Sequence, residues 1–133
     1  MEITRVYSGE DGHSHLERFP VPMHELDWGR GVEITDVEGI LLRETPPGPG
    51  RIDFHNAPRR QLVIHLRGGF EIAGGTGEKM ICGPGDVLFG DDLTGEGHTA
   101  TEVDGPRLQL VIYLPDDFDL SLLKDEKTAK ATY

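Results

Sequence analysis

Short apolar or alternating runs, each ended by Gly, Pro, Asn or Asp, are the feature that most restricts how this chain can fold. This pattern is typical of β-strands joined by turns, and no segment is long and periodic enough to predict a helix. Ten short strands must hide their edges by closure or by a second sheet, so the pattern predicts an all-β sandwich or small barrel. The predicted strands are 3–7, 16–21, 38–44, 51–55, 61–67, 70–73, 78–82, 87–89, 98–103 and 107–114.

Glycine-rich segments give the expected turns. The segment Gly74-Gly75-Thr76-Gly77 lies between two predicted strands and supplies residues that accept a positive φ, so it predicts a hairpin. The segments 68–69 and 104–106 are predicted as further turns. Residues 107–114 alternate most clearly, with Leu108, Leu110, Ile112 and Leu114 on one face and Gln109, Val111 and Tyr113 on the other. We expect at least one of the two faces to be buried.

The length of 133 residues predicts one domain. We expect a core at about 37–115, N-terminal strands within 1–36 and a polar tail at 116–133. Asp116, Asp117 and Asp119 could open a short helix in that tail, with the remainder frayed or disordered.

Charge and composition exclude several kinds of partner. The chain has 24 acidic and 13 basic residues and a formal charge of -11, which repels nucleic acid and anionic membrane surfaces. Its apolar runs are far shorter than the ~20 residues of a membrane-spanning helix, and residues 1–10 do not resemble a signal peptide. The single cysteine, Cys82, cannot form an internal disulfide. These features predict a cytoplasmic protein.

Six histidines are the main candidates for chemistry. Strand alternation puts Gln61, Val63 and His65 on one face, and Asp53 and His55 on one face of the preceding strand. If these faces point into a small barrel, their polar side chains converge on one cavity without forming a compact motif. A buried His65 would have a lowered pKa and could act as a neutral base.

Residues 55–114, which begin "HNAPRRQLVIHLRGG" and include "GPGDVLFGDDLTGEGH", resemble the core of a small single-domain cupin. The resemblance implies a double-stranded β-helix, or jelly roll. It also implies metal-ligand positions at His55, Gln61 and His98, with Asp53 as a supplement, and a divalent ion such as Zn, Mn, Ni or Fe. Asp53 and Gln61 replace a histidine and a glutamate of the family pattern, which weakens the ligand set. The alternative is that His55 and His98 are hydrogen-bonded pocket residues.

Four further residues have more than one interpretation. Asp91 and Asp92 either cap the turn before His98 or orient its ring, which also makes Asp92 a pocket candidate. Arg60, beside Arg59, either belongs to a surface turn or binds a substrate carboxylate at the pocket mouth. Trp28 is expected to be a partly exposed apolar anchor, a lid or a dimer contact.

Fold alone does not determine function. The first hypothesis is a metal-dependent isomerase, lyase or oxygenase that acts on a small carbonyl, carboxylate or sugar-like substrate, with His65 and His98 as catalytic residues. The second is a non-catalytic binding or sensor module for a small ligand. A homodimer is expected under either hypothesis, because the N-terminal strands need an edge to pair with.

Overall fold

A computed structural model describes residues 1–48 and 50–125 of the chain. These residues form ten β-strands and one 3-10 helix, Leu120–Leu122. The strands are β1 Glu2–Ser8, β2 Ser14–Pro20, β3 His24–Leu26, β4 Gly29–Gly31, β5 Gly39–Thr45, β6 Arg51–His55, β7 Gln61–Ala73, β8 Lys79–Cys82, β9 Val87–Asp91 and β10 His98–Tyr113.

Eight of the strands build one mixed sheet. Its main path runs β2-β1-β9-β7-β10-β5, with β6 paired to β10 and β8 paired to β7. Strand β1 runs parallel to β9, whereas the other pairs in this sheet are antiparallel. The all-β prediction is confirmed, and the architecture is consistent with a cupin-like fold.

Two strands are longer than the sequence predicts. The segments 61–67 and 70–73 join in β7, and 98–103 and 107–114 join in β10. The expected turns at 68–69 and 104–106 are instead irregularities within this strand pair, where the register shifts between Glu102 and Gln109. Gly68 has φ 74° there, and a Cβ on it would overlap the carbonyl oxygens of Asp104 and Pro106. Glycine therefore lets the two bent strands stay paired. The hairpin predicted at residues 74–77 is confirmed, since β7 pairs with β8 across it.

The second half of β10 alternates as expected, and the face that carries Gln109 and Val111 points to the interior. Gln109 and Val111 are 2% and 1% exposed, whereas Leu108 and Leu110 are only half-buried. Of the leucine face, Leu114 is the residue that is fully buried. Alternation identifies two faces but not which of them points inward, and here the inward face carries polar atoms because it lines a pocket.

Apolar side chains form two core clusters. One includes Val6, Val63, Leu88 and Ala100 and borders the pocket described below. It also contains Cys82, whose burial raises the pKa of the thiol to about 12. The other cluster packs strand residues against the segment that follows β10; its buried members are Ile3, Phe19, Val21, Leu62, Val87, Phe89, Leu114, Phe118 and Leu123.

Two further elements lie outside the eight-stranded sheet. Strands β3 and β4 form a separate hairpin that the sequence analysis did not predict, and Trp28 at its turn is 98% exposed. The expected short helix after β10 is the 3-10 turn, capped by Asp119, whose Oδ1 accepts a hydrogen bond from the backbone N–H of Ser121. The part of the predicted tail at 126–133 lies outside the described residues. Within residues 1–48 and 50–125, no helix has the length and apolar character that crossing a bilayer requires.

Candidate functional site

A pocket of about 290 Å³ opens between the strands. This volume is at the lower end of the range for small-molecule sites. Its walls combine apolar side chains with a few polar ones. The lining residues are Val6, Arg43, Thr45, Ile52, His55, Asn56, Ala57, Pro58, Gln61, Val63, Phe70, Leu88, Gly90, His98, Ala100, Arg107 and Gln109.

The pairing of β6 with β10 brings His55 and His98 together in this pocket. The two residues are direct partners across the strand pair, and their ring centroids lie 4.4 Å apart at an interplanar angle of 56°. His98 is 7% exposed and His55 is half-buried. Strand pairing thus joins two imidazoles that are 43 positions apart in the sequence, 98 minus 55.

A buried carboxylate holds the ring of His98. Nδ1 of His98 lies 2.5 Å from Oδ2 of Asp92, which is 0% exposed. The same Oδ2 accepts a hydrogen bond from Oγ of Ser14 at 2.8 Å, and Oδ1 accepts one from the backbone N–H of Ala57 at 3.2 Å. An ionised carboxylate can only accept, so Nδ1 of His98 carries a proton, and in the neutral form of the ring Nε2 carries the lone pair.

His55 has the same tautomer for a different reason. Its Nδ1 lies 2.8 Å from the backbone carbonyl oxygen of Asp53, which is also only an acceptor. Among the described residues, neither His55 nor His98 has a hydrogen-bond partner at Nε2. Two ring nitrogens with lone pairs are therefore available in one pocket.

Gln61 and Asp53, the other proposed metal ligands, lie in different environments. Gln61 lines the pocket together with Val63, which lies two positions along β7. The side chain of Asp53 is 84% exposed, and its Oδ1 accepts a hydrogen bond from the backbone N–H of Phe54. A register shift between β6 and β10 leaves Asp53 and Phe54 opposite Thr99 alone, which breaks the alternation that would have aligned Asp53 with His55.

His65 is buried but does not line the pocket. It is 1% exposed, and its Nδ1–H donates to the backbone carbonyl of Asp86 at 3.2 Å. Its Nε2 accepts from Nε2 of Gln109 at 3.2 Å. Burial lowers the pKa of His65, as expected, and the bond to Asp86 opposes this shift only partly. Both ring nitrogens are thus engaged within the protein, and the structure gives His65 no direct access to a ligand.

Arg60 lies outside the pocket lining as well. Its Nε donates to Oδ1 of Asp91 at 2.8 Å, and its Nη1 donates to the backbone carbonyl of Asp116 at 2.8 Å. Asp91 also accepts two hydrogen bonds from Arg5. Arg60 therefore ties the segment after β10 to the sheet. Its neighbour Arg59 stacks on the ring of Tyr113, with Cζ 4.1 Å from the ring centroid.

Sequence reasoning missed two cationic residues of the pocket, Arg43 on β5 and Arg107 on β10. Nε and Nη2 of Arg43 donate to Oε1 of Gln109 at 3.0 and 2.7 Å. A usable signal was present, since both arginines lie within predicted strands, 38–44 and 107–114. Alternation alone could not show that these positions face inward.

A resident divalent ion in the pocket would need several protein side chains as ligands. Within residues 1–48 and 50–125, no three His, Cys, Asp or Glu side chains lie close enough together to hold one. The pocket supplies two imidazoles and the neutral amide of Gln61, whereas catalytic zinc sites provide three strong protein ligands. These residues do not fit a catalytic metal centre, and the chemistry below is derived from the imidazoles alone.

No protein-family model and no curated protein matches the chain. Among solved structures, it is similar to a protein from Ralstonia eutropha JMP134 that is provisionally named a mannose-6-phosphate isomerase. The two chains are 14% identical, and the match covers 86% of this chain and 84% of the other, with a TM-score of 0.37. The likeness is too low to bear on function, which is inferred below from the pocket.

Proposed function

We propose that this chain is a small-molecule enzyme of cupin type that moves a proton at a carbon next to a carbonyl group. The substrate class is a small carbonyl or sugar-like compound, in keeping with the volume of about 290 Å³. One observation supports the proposal above the others: His55 and His98 meet in the pocket, each with Nδ1 engaged by an acceptor and Nε2 unpartnered by the described protein residues. This arrangement suits general acid–base catalysis.

His98 is assigned the role of base. Nε2 removes the proton from the carbon beside the carbonyl, and the electron pair of that C–H bond forms the C=C bond of an enol or enolate. Asp92 keeps the lone pair on Nε2 and provides a counter-charge for the imidazolium, as a buried carboxylate does in hydrolytic triads. Ser14 and the backbone of Ala57 fix this carboxylate in turn, so Asp92 is a positioning residue.

His55 is assigned to the carbonyl oxygen. In its protonated form it donates Nε2–H to the oxygen on which negative charge develops. Return of the proton from His98 to the original carbon completes an exchange. In a substrate with a hydroxyl on that carbon, His55 gives its proton to the carbonyl oxygen, which forms an enediol. His55 then takes the proton of the original hydroxyl, and His98 returns its proton to the former carbonyl carbon, which completes an isomerisation. Apolar residues, including Val63, Phe70 and Leu88, also line the pocket and lower the local dielectric.

Deuterium exchange tests this proposal without knowledge of the product. The protein is incubated in D2O with small aldehydes, ketones, ketoses and 2-oxo acids, and NMR measures loss of the proton beside each carbonyl. We expect catalysed exchange for at least one compound and a loss of at least ~100-fold in His98→Gln, the usual scale of general-base catalysis. His24→Gln, in the exposed strand β3, is the matched control and should retain exchange.

The same assay separates acid–base catalysis from the alternatives. Protein dialysed against EDTA should keep full activity if the imidazoles act alone. Exchange that returns only after Zn, Mn, Ni or Fe is added would overturn the metal-free mechanism in favour of a metal-dependent one. Binding of a compound without exchange of any proton would overturn catalysis and favour a ligand-binding module.

A further inference from the structure

The pocket has a second polar wall, formed by β5 and the second half of β10. Arg43 and Arg107 line it together with Gln109. Arg43 is the strand partner of Gln109, and Arg107 is the partner of Thr45, so the two arginines lie at neighbouring positions of one strand pair. His55 and His98 belong to a different strand pair, β6 with the start of β10.

Among the described residues, Arg43 has no ion pair, and the ion pair of Arg107 is long. The hydrogen-bond acceptor of Arg43 is the uncharged amide oxygen of Gln109. Nε of Arg107 is buried without a hydrogen-bond partner among the described residues. The nearest carboxylate oxygen in its ion pair, Oε1 of Glu102, is 3.8 Å away, is likewise buried, and is also unsatisfied. A buried donor without a partner is costly, which indicates that a missing acceptor completes the site.

The protein holds Arg43 in this position through a chain of hydrogen bonds. The Asp86 carbonyl fixes the tautomer of His65, and Nε2 of His65 accepts from the amide of Gln109. This bond orients the amide oxygen of Gln109 toward Arg43. The buried His65 therefore positions an arginine in the pocket.

The two positive charges also influence each other. Desolvation lowers the pKa of Arg43, and the nearby charge of Arg107 lowers it further. An arginine pKa still lies far above neutrality, so both groups remain charged. Two like charges that line one pocket repel each other, and a bound anion would relieve this repulsion.

We infer that Arg43 and Arg107 bind a small anionic group, a carboxylate or a phosphate, at the wall of the pocket next to the histidine pair. Guanidinium groups recognise both through paired N–H···O bonds. The inference rests on the proposed function and narrows its substrate class to a carbonyl compound that carries one such group. Arg43 and Arg107 hold this group while His55 and His98 face the carbonyl end.

Calorimetry with two probes tests the site and distinguishes the two anions. Inorganic phosphate and pyruvate are titrated into the protein, with neutral dihydroxyacetone as the comparison. We expect at least one anion to bind, and its Kd to rise about 10-fold or more in Arg43→Gln and in Arg107→Gln, the scale of one charged hydrogen bond. The anion that binds more tightly shows whether the two arginines recognise a phosphate or a carboxylate. The matched control is Arg30→Gln on the β3–β4 hairpin, where the side chain is 65% exposed, and it should bind normally.

A second measurement uses the unaltered protein, so it does not depend on the folding of a variant. On addition of the tighter anion, the NMR signals of the Nε–H groups of Arg43 and Arg107 should shift, while that of Arg30 should not. Failure of both anions to bind, or equal weakening in Arg30→Gln, would overturn the inference. His98→Gln separates the two proposals, because it should bind the anion normally and lose proton exchange. If the Arg43 and Arg107 variants bound the anion normally and exchange still depended on His98, the anion site would be refuted. The proposed proton transfer would then stand.

Discussion

Gly97 lies directly against the backbone carbonyl of His55, so that a Cβ atom at this position would overlap the oxygen. Its φ of 90° is also one that residues with side chains rarely adopt. The residue before His98 must therefore be glycine for two independent reasons. This close approach of the loop to β6 brings the two imidazoles together.

Substitution of Gly97 should consequently damage both the fold and the histidine pair. Gly97→Ala is expected to reduce the free energy of unfolding by about 2–5 kcal/mol, since the positive φ and the overlap both cost energy. Urea denaturation measures this loss. Gly85→Ala is the matched control, because Gly85 has φ 87° but open space at the Cβ position. This variant should lose only the free energy that the positive φ costs, about 1–2 kcal/mol. Equal losses in both variants would contradict the close approach.

Asp92 is expected to stabilise the fold as well as to orient His98. In Asp92→Asn, one carboxylate oxygen becomes an NH2 group, which cannot accept from Ser14, His98 or Ala57. The buried donor left without an acceptor should cost about 1–3 kcal/mol of unfolding free energy. The control Asp53→Asn alters a side chain that is 84% exposed and should change stability by less than about 0.5 kcal/mol. If Asp92→Asn left the free energy of unfolding unchanged, this hydrogen-bond network would be absent in solution.

Arg60 is expected to matter for stability and not for ligand binding. Arg60→Gln removes its charged bond to Asp91 and its bond to the carbonyl of Asp116, with an expected loss of about 1–3 kcal/mol. Thermal unfolding gives the loss, and titration with phosphate or pyruvate gives the Kd. If the Kd rose as much as in Arg43→Gln, Arg60 would belong to the ligand site, as one of the two interpretations of the sequence proposed.

His65 should make stability fall in mild acid. Burial lowers its pKa in the folded state below the ordinary value of 6.5, so protonation favours the unfolded chain. The stabilising contribution of neutral His65 is thus complete above pH 6.5 and is lost as the pH falls through the lowered folded pKa. The bond to Asp11 raises the pKa of His15, so the stabilising contribution of protonated His15 is complete below pH 6.5 and is lost as the pH rises through the raised pKa.

Comparison of wild type with His65→Gln isolates the effect of His65. At pH 8 the two proteins differ only by packing and hydrogen bonding. Their difference in unfolding free energy should shrink steadily as the pH is lowered below 6.5, because only the wild type loses the His65 contribution. A difference that stays constant between pH 8 and pH 5 would show that His65 titrates in the same way in both states.

The sequence was sufficient for the strand content because turn residues and alternation are local signals. The histidine pair was also foreseeable, since His55 and His98 stand at the end and the start of predicted strands. The position of Asp53 was not foreseeable, because one extra residue opposite Thr99 reverses the direction of its side chain. Nor could alternation show that Gln109, rather than its leucine neighbours, faces inward with Arg43. Such assignments depend on which sheet face is covered, and that is a property of the whole fold.

The central claim is that His55 and His98 meet in one pocket, both with the proton on Nδ1. Two-bond 1H–15N correlation spectra of the imidazoles, combined with nuclear Overhauser effects between the rings, measure this directly. At a pH where both rings are neutral, we predict the Nδ1–H tautomer for each and a strong contact between rings whose centroids are 4.4 Å apart. Nε2–H tautomers, or rings without a mutual contact, would contradict the proposed site.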